Sequence, residues 1–188
     1  MYISVRVVLL LILLNGCDIT SHINQSSPSE RLRKALAELS AAKTDYERLA
    51  PLGRAGMACV DLDQLEQAGT YGNQLLHLSK RLFQDGDPDA IHKGNIILGR
   101  IELKHGKLPI AKEYLLSAGK MNGSPVLKSF GPNMTLAREL LKKGEHSVVL
   151  EYLGLCKVFW ENGQDKLQKW NIQIRSGSIP DFGANLYY

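Results

Sequence analysis

Cysteine is scarce in this chain of 188 residues: Cys17, Cys59 and Cys156 are the only three, so no dense disulfide framework can hold it together. The apolar run Val7 to Leu14 is too short to stay in a bilayer as a permanent helix, which needs about 20 residues. The histidines at 22, 77, 92, 105 and 146 show no His-x-x-x-His spacing, and no paired-cysteine motif accompanies them, so no metal site is expected. There is no Gly-x-Ser-x-Gly elbow and no glycine-rich phosphate loop. Nothing in the residue pattern argues for an enzyme or calls for a cofactor. The net charge is a modest +4, while 44% hydrophobic and 22% charged residues mark a globular chain rather than a disordered one.

What is present begins with a leader. Arg6 precedes the apolar run, and Gly16 stands just before Cys17, as in the core and cleavage region of an export signal over residues 1–16. Residues 18–29 are polar and aperiodic and read as a flexible tether. Amphipathic periodicity then takes over, and residues 30–175 are expected to form one helical domain, followed by an aromatic-rich extended tail, 176–188, either docked or free.

The first helix should bury Leu32, Ala35, Leu36, Leu39, Ala42 and Tyr46 and should end or kink at Pro51. From there a unit recurs. Leu98-Gly99, Gly106, Ala111, Leu115 and Ala118 return 38 residues later as Leu136-Ala137, Gly144, Val149, Leu153 and Cys156. A small residue where two helices cross, a glycine at the turn and small-then-large residues along the second helix suit a packed helical hairpin. A weaker copy precedes them, with Ala55-Gly56, Ala68 and Leu75, but Asp63 stands in the turn position and Gly72 in a large-residue position. The fold expected is all-α: an antiparallel helix–turn–helix solenoid of about two to three repeats with capping helices.

Between the clear repeats, Asn122 to Asn133 contains two prolines and two glycines, which forbid a continuous helix and leave Asn133 as an N-cap for the next one. Phe130 on this loop is either an exposed anchor for a partner or a plug on the core; the plug is expected, because a lone exposed Phe lowers solubility. Asp85-Gly86-Asp87-Pro88-Asp89 lacks the glycine and glutamate of a calcium loop, so it reads as a turn with Asp89 capping the next helix. Trp160 and Trp170 are expected in the core of the terminal cap, and Cys156 packs as a small buried residue.

Residues 93–143 hold ten basic residues against three acidic ones, while the flanking segments are slightly negative. A basic block of this kind attracts an acidic partner surface or anionic lipid heads. Lys93, Arg100, Lys104, Lys107, Lys112, Phe130, Arg138 and Lys142 are therefore the candidate partner-binding residues. Aromatic residues are not interleaved with them, so nucleic acid is not expected.

Two resemblances add to this reading. The ending Leu14-Asn15-Gly16-Cys17 resembles the lipobox of bacterial lipoproteins, although Asn15 stands where Ala or Ser is usual. It implies cleavage before Cys17, acylation of Cys17 and attachment to the bacterial cell membrane, facing the periplasm or the exterior; the alternative is a plain secretory signal. The Leu98-Gly99 pair, with Ala111 and Leu115, resembles the tetratricopeptide repeat and the related Sel1-like repeats. Asn95 and Glu102 replace that family's first-helix aromatics, and Pro125 is displaced. This resemblance implies a protein-binding groove, and hence a tethered adaptor or scaffold. An immunity lipoprotein against an envelope-delivered toxin, or a glycan-related envelope accessory, are the alternatives.

Overall fold

The computed structural model describes residues 26–187, and every regular element among them is a helix. The signal segment, Cys17 and most of the tether lie outside the described residues. Nine α-helices occur among the described residues: α1 Pro28–Ala41, α2 Asp45–Asp61, α3 Leu65–Leu82, α4 Pro88–Lys104, α5 Leu108–Gly119, α6 Pro125–Phe130, α7 Thr135–Leu141, α8 His146–Phe159 and α9 Gln164–Arg175. Three hairpins, α2/α3, α4/α5 and α7/α8, stack in sequence, with α1 packed on α2 at one end and α9 on α8 at the other. No helix among the described residues is long and apolar enough to cross a membrane.

The three hairpin turns have one geometry. Asp63, Gly106 and Gly144 take φ values of 61°, 76° and 82°. The residues after them, Gln64, Lys107 and Glu145, have matching φ/ψ near −86/66, −84/64 and −82/60. Their backbone N–H groups donate to the carbonyls of Cys59, Glu102 and Leu140 at 2.9, 2.9 and 3.1 Å, the same five-residue step back each time. The degenerate first copy is therefore a conformational equal of the others. Aspartate is among the few side chains that enter the left-handed region at modest cost.

Helix starts follow from local chemistry. Ser27, Asp87 and Ser124 each accept a hydrogen bond from a first-turn N–H and are each followed by proline at the first helical position. The cap of α4 is thus Asp87 rather than Asp89, whose Oδ1 instead accepts from Ser124 Oγ at 2.8 Å. The first helix also differs from expectation. The chain breaks at 42–44, where Thr44 and Glu47 form a reciprocal capping box that starts α2, and Pro51 lies inside that helix. Of the expected stripe only Ala35 is buried, and Tyr46 is 65% exposed because it now belongs to the start of α2.

The 122–133 stretch contains a helical turn and a half, α6, which its Ser-Pro start allows and Gly131, at φ 85°, ends. Asn133 is buried and caps α7 from one residue further out than expected, its Oδ1 accepting from Thr135 N at 3.0 Å. Phe130 is not a plug: its side chain is 64% exposed.

One continuous core runs through all three hairpins, from Val60 through Ile97, Leu115, Leu136 and Leu153 to the far end. There Trp160, Trp170 and Phe182 stack, with ring centroids 5.6 and 4.9 Å apart. Trp160 and Trp170 are cap core, as expected. Cys59 and Cys156 are separate buried free thiols, and burial pushes both thiols up from their ordinary range.

Candidate functional site: a basic cleft beside the chain's end

Packing fixes which charges remain available. Arg100, on α4, is buried, and its guanidinium reaches Asp61 on α2 at 2.8 Å and Glu139 on α7 at 2.7 Å. This side chain ties all three hairpins together, so its charge is spent inside the molecule. Burial alone pushes the Asp61 carboxyl up, but Arg100 and Arg31 outweigh it and hold that group below its usual value. Lys104 meets Asp63 at 3.0 Å, Lys107 meets Glu102 at 3.0 Å and Lys112 meets Glu145 at 2.9 Å. Asp61, Asp63 and Glu145 lie outside residues 93–143, so neighbouring hairpins supply acids to three of that segment's cations. Arg138 is half-buried on α7, and Lys142 is exposed at its end. The candidate residues therefore do not converge on one surface.

Lys93 is the exception. A cleft of about 590 Å³ opens between α1, α2 and α4, and Lys93 lines it with Arg31, Arg33, Lys34, Arg54 and Met57. The stem of Lys93 lies over Gly53, where a Cβ would come within 2.5 Å of its Cδ. Glycine at 53 lets the lysine cross α2 and enter the cleft. Arg31 is matched by Asp61 and Arg54 by Glu38. Among the described residues, no carboxylate pairs with Lys93, Arg33 or Lys34. Burial pushes the Lys93 ammonium down from its ordinary value, Asp89 one turn back opposes this, and Arg54 adds to it. A desolvated, unmatched ammonium flanked by two exposed cations is an anion-seeking arrangement.

Arg33, Lys34 and Arg54 were not among the sequence candidates. Their signal was the Arg31-Leu32-Arg33-Lys34 run, which a segment-by-segment charge count averaged against nearby acids. Glu30, Glu38 and Asp61 also line the cleft, and a further wall comes from the C-terminal stretch, Leu186 and Tyr187. The tail returns across the stack to reach it. Phe182 is buried on Trp170, and Asn185 is clamped at the start of α7. The Asn185 carbonyl accepts from Met134 N at 2.8 Å, while its side-chain amide donates to the carbonyls of Phe130 and Pro132 at 3.1 and 2.9 Å.

A second buried polar unit holds the stack beside this face. His92 Nδ1 lies 2.9 Å from the Ala118 carbonyl, and its Nε2 accepts from Asn133 N–H at 2.9 Å. Because an N–H can donate only to an unprotonated ring nitrogen, the imidazole is neutral with its proton on Nδ1. Among the described residues, no group of three His, Cys, Asp or Glu side chains could hold a metal ion.

Comparisons of this chain with protein-family models, curated proteins and solved structures found no match.

Proposed function

We propose that the protein is a lipid-anchored adaptor that captures an acidic segment of a partner protein in the cleft between α1, α2 and α4. It acts by binding rather than by catalysis. Lys93 carries this reading: it is drawn out of water, lines the cleft and makes no direct ion pair, Asp89 acting on it only from one turn back, so an incoming carboxylate gains a charge-assisted contact in a partly desolvated place. Met57 supplies an apolar floor, and Arg33 and Lys34 extend the positive rim. Cys17 is in this reading acylated at the cell membrane, facing the periplasm or the exterior, with the polar residues that follow it joining it to the domain.

The test is capture of acidic envelope proteins by the full-length chain at rising salt. Lys93→Glu combined with Arg33→Glu should weaken capture by about tenfold or more, as expected for reversing unmatched charges that meet a carboxylate. Reversing Lys104, Lys107 and Lys112 should have much less effect, because each already faces its own acid. Equal capture by the cleft variant and the wild type would refute the reading.

A further inference from the structure

The tail is not held evenly. Phe182 is 2% exposed and wedged edge-on against Trp170, 4.9 Å between ring centroids. Beyond it Gly183 has φ 54° and nothing within 4 Å of where a Cβ would stand, so the chain can swivel there. Residues 184–187 then depend on the Asn185 clamp and on Leu186, which is only partly buried, while Tyr187 is 56% exposed. These last side chains stand in the cleft with Lys93, Met57 and Arg33. A rigid anchor, a glycine joint and an end held chiefly at Asn185 over a basic cleft have the layout of a gate.

We propose that residues 184–187 are a built-in competitor of the acidic segment: they cover one wall of the cleft at rest and swing out about Gly183 when the partner binds, while Phe182 stays in place. The proposal rests on the cleft being the binding site. The occupant is an extended acidic peptide. Such a chain has Lys93, Arg33 and Lys34 to pair with and can take the place that Leu186 and Tyr187 fill at the end of a single 3-10 turn, Gly183–Leu186. The clamp sets the threshold. Two side-chain amide bonds hold Asn185, each contributing modestly net of water, so removing them raises the open fraction, and apparent affinity rises in proportion.

The experiment uses the full chain and a fluorescein-labelled Glu- and Gly-rich peptide as probe, read by anisotropy. Amide hydrogen exchange at Asn185 and Tyr187 is followed in parallel, since these N–H groups donate to Phe182 O and Ala184 O at 3.1 Å each. Asn185→Ala should bind the probe about ten times more tightly than wild type. Probe binding to wild type should speed exchange at both amides and leave the Trp170 environment unchanged. The double variant Leu186→Ser, Tyr187→Ser leaves the clamp and Phe182 intact and should also bind more tightly, which covers the case in which Asn185→Ala disturbs α7. If wild type and both variants bind equally, with binding lost in Lys93→Glu, the gate is overturned and the cleft stands. If no chain binds the probe, the cleft reading and the gate fall together.

Discussion

Acidification from pH 7 to pH 4 should remove about 3 kcal/mol of stability through His92 alone. Burial lowers its pKa from 6.5 to about 4, and the charge of Lys93 next to it acts in the same direction. The Ala118 carbonyl opposes this but does not overcome it. In the unfolded chain the imidazole takes up its proton near 6.5, whereas in the folded protein it resists until about 4. Between those values the unfolded state binds more protons, so stability is present above pH 6.5 and is lost as pH falls through the folded pKa. A shift of this size, at 1.36 kcal/mol per pH unit, gives the figure of about 3 kcal/mol. The geometry explains the resistance. Protonating Nε2 would set it against the Asn133 N–H that now donates to it across 2.9 Å, in a site that is 2% exposed.

The assay is urea unfolding at several pH values for wild type and His92→Gln. Glutamine cannot titrate and can still offer an oxygen to Asn133 N–H. Its stability at pH 7 should be lower, since the donor to Ala118 is gone, but its decline toward pH 4 should be about 3 kcal/mol shallower than that of wild type. Carboxylates such as Asp61 titrate in both chains and cancel in the difference. Parallel stability curves for the two proteins over that range, or an imidazole that titrates near 6.5 by NMR, would refute the reasoning.

Three further outcomes follow from packing and backbone geometry. Asp63→Gly should stabilise the protein by about 0.5–1 kcal/mol, seen as a raised urea midpoint: glycine adopts φ 61° without strain, and the lost Lys104 contact is exposed and worth little. Arg100→Met should destabilise by about 2–3 kcal/mol, because Glu139 loses its partner and Asp61 keeps only Arg31; adding Glu139→Gln should recover part of this in a double-mutant cycle. Gly131→Ala should destabilise by about 3 kcal/mol or more, measured by thermal unfolding, because φ is 85° and a Cβ would collide with the Trp160 ring.

The hairpins were legible because each one requires the same few features at fixed spacing, and Gly106 and Gly144 mark their turns openly. The first copy was harder to read because Asp63 reaches the left-handed region without being glycine, so the backbone repeated where the letter did not. Pro51 looked like a helix end because proline removes an N–H. The decisive signal lay seven residues earlier, at Thr44, in the Thr44-to-Glu47 capping box that sets where α2 begins. Once α2 starts there, Pro51 falls inside it. Phe130 could not be assigned from its own letter, since whether an aromatic in a short inserted helix faces in or out depends on what lies beneath it. In α6 the side chain that packs on the core is Leu127, 3% exposed, while Phe130 at the last position of the helix is left outside.

The basic block shows most clearly where linear reading stops. Charge counted along residues 93–143 is a property of a segment, whereas ion pairs in a stacked helical protein form between segments. Arg100 finds its acids 39 residues away in both directions, and Lys104 and Lys112 find theirs 41 and 33 residues away. The segment thus reports an excess that three acids beyond it, Asp61, Asp63 and Glu145, reduce but do not cancel. Conversely, the unpaired cations that line the cleft come from two distant places, Arg33 and Lys34 on α1 and Lys93 on α4, and neither place stands out by itself. What brings them together is the packing of α1 and α4 on α2, and what lets Lys93 through is the missing side chain at Gly53. It follows that Gly53→Ala should disturb the cleft as much as a change of charge does. Its methyl would push the Lys93 stem aside without altering a single formal charge, and weakened capture of an acidic segment by that variant, with the fold retained, would trace the binding to where Lys93 is held rather than to net charge.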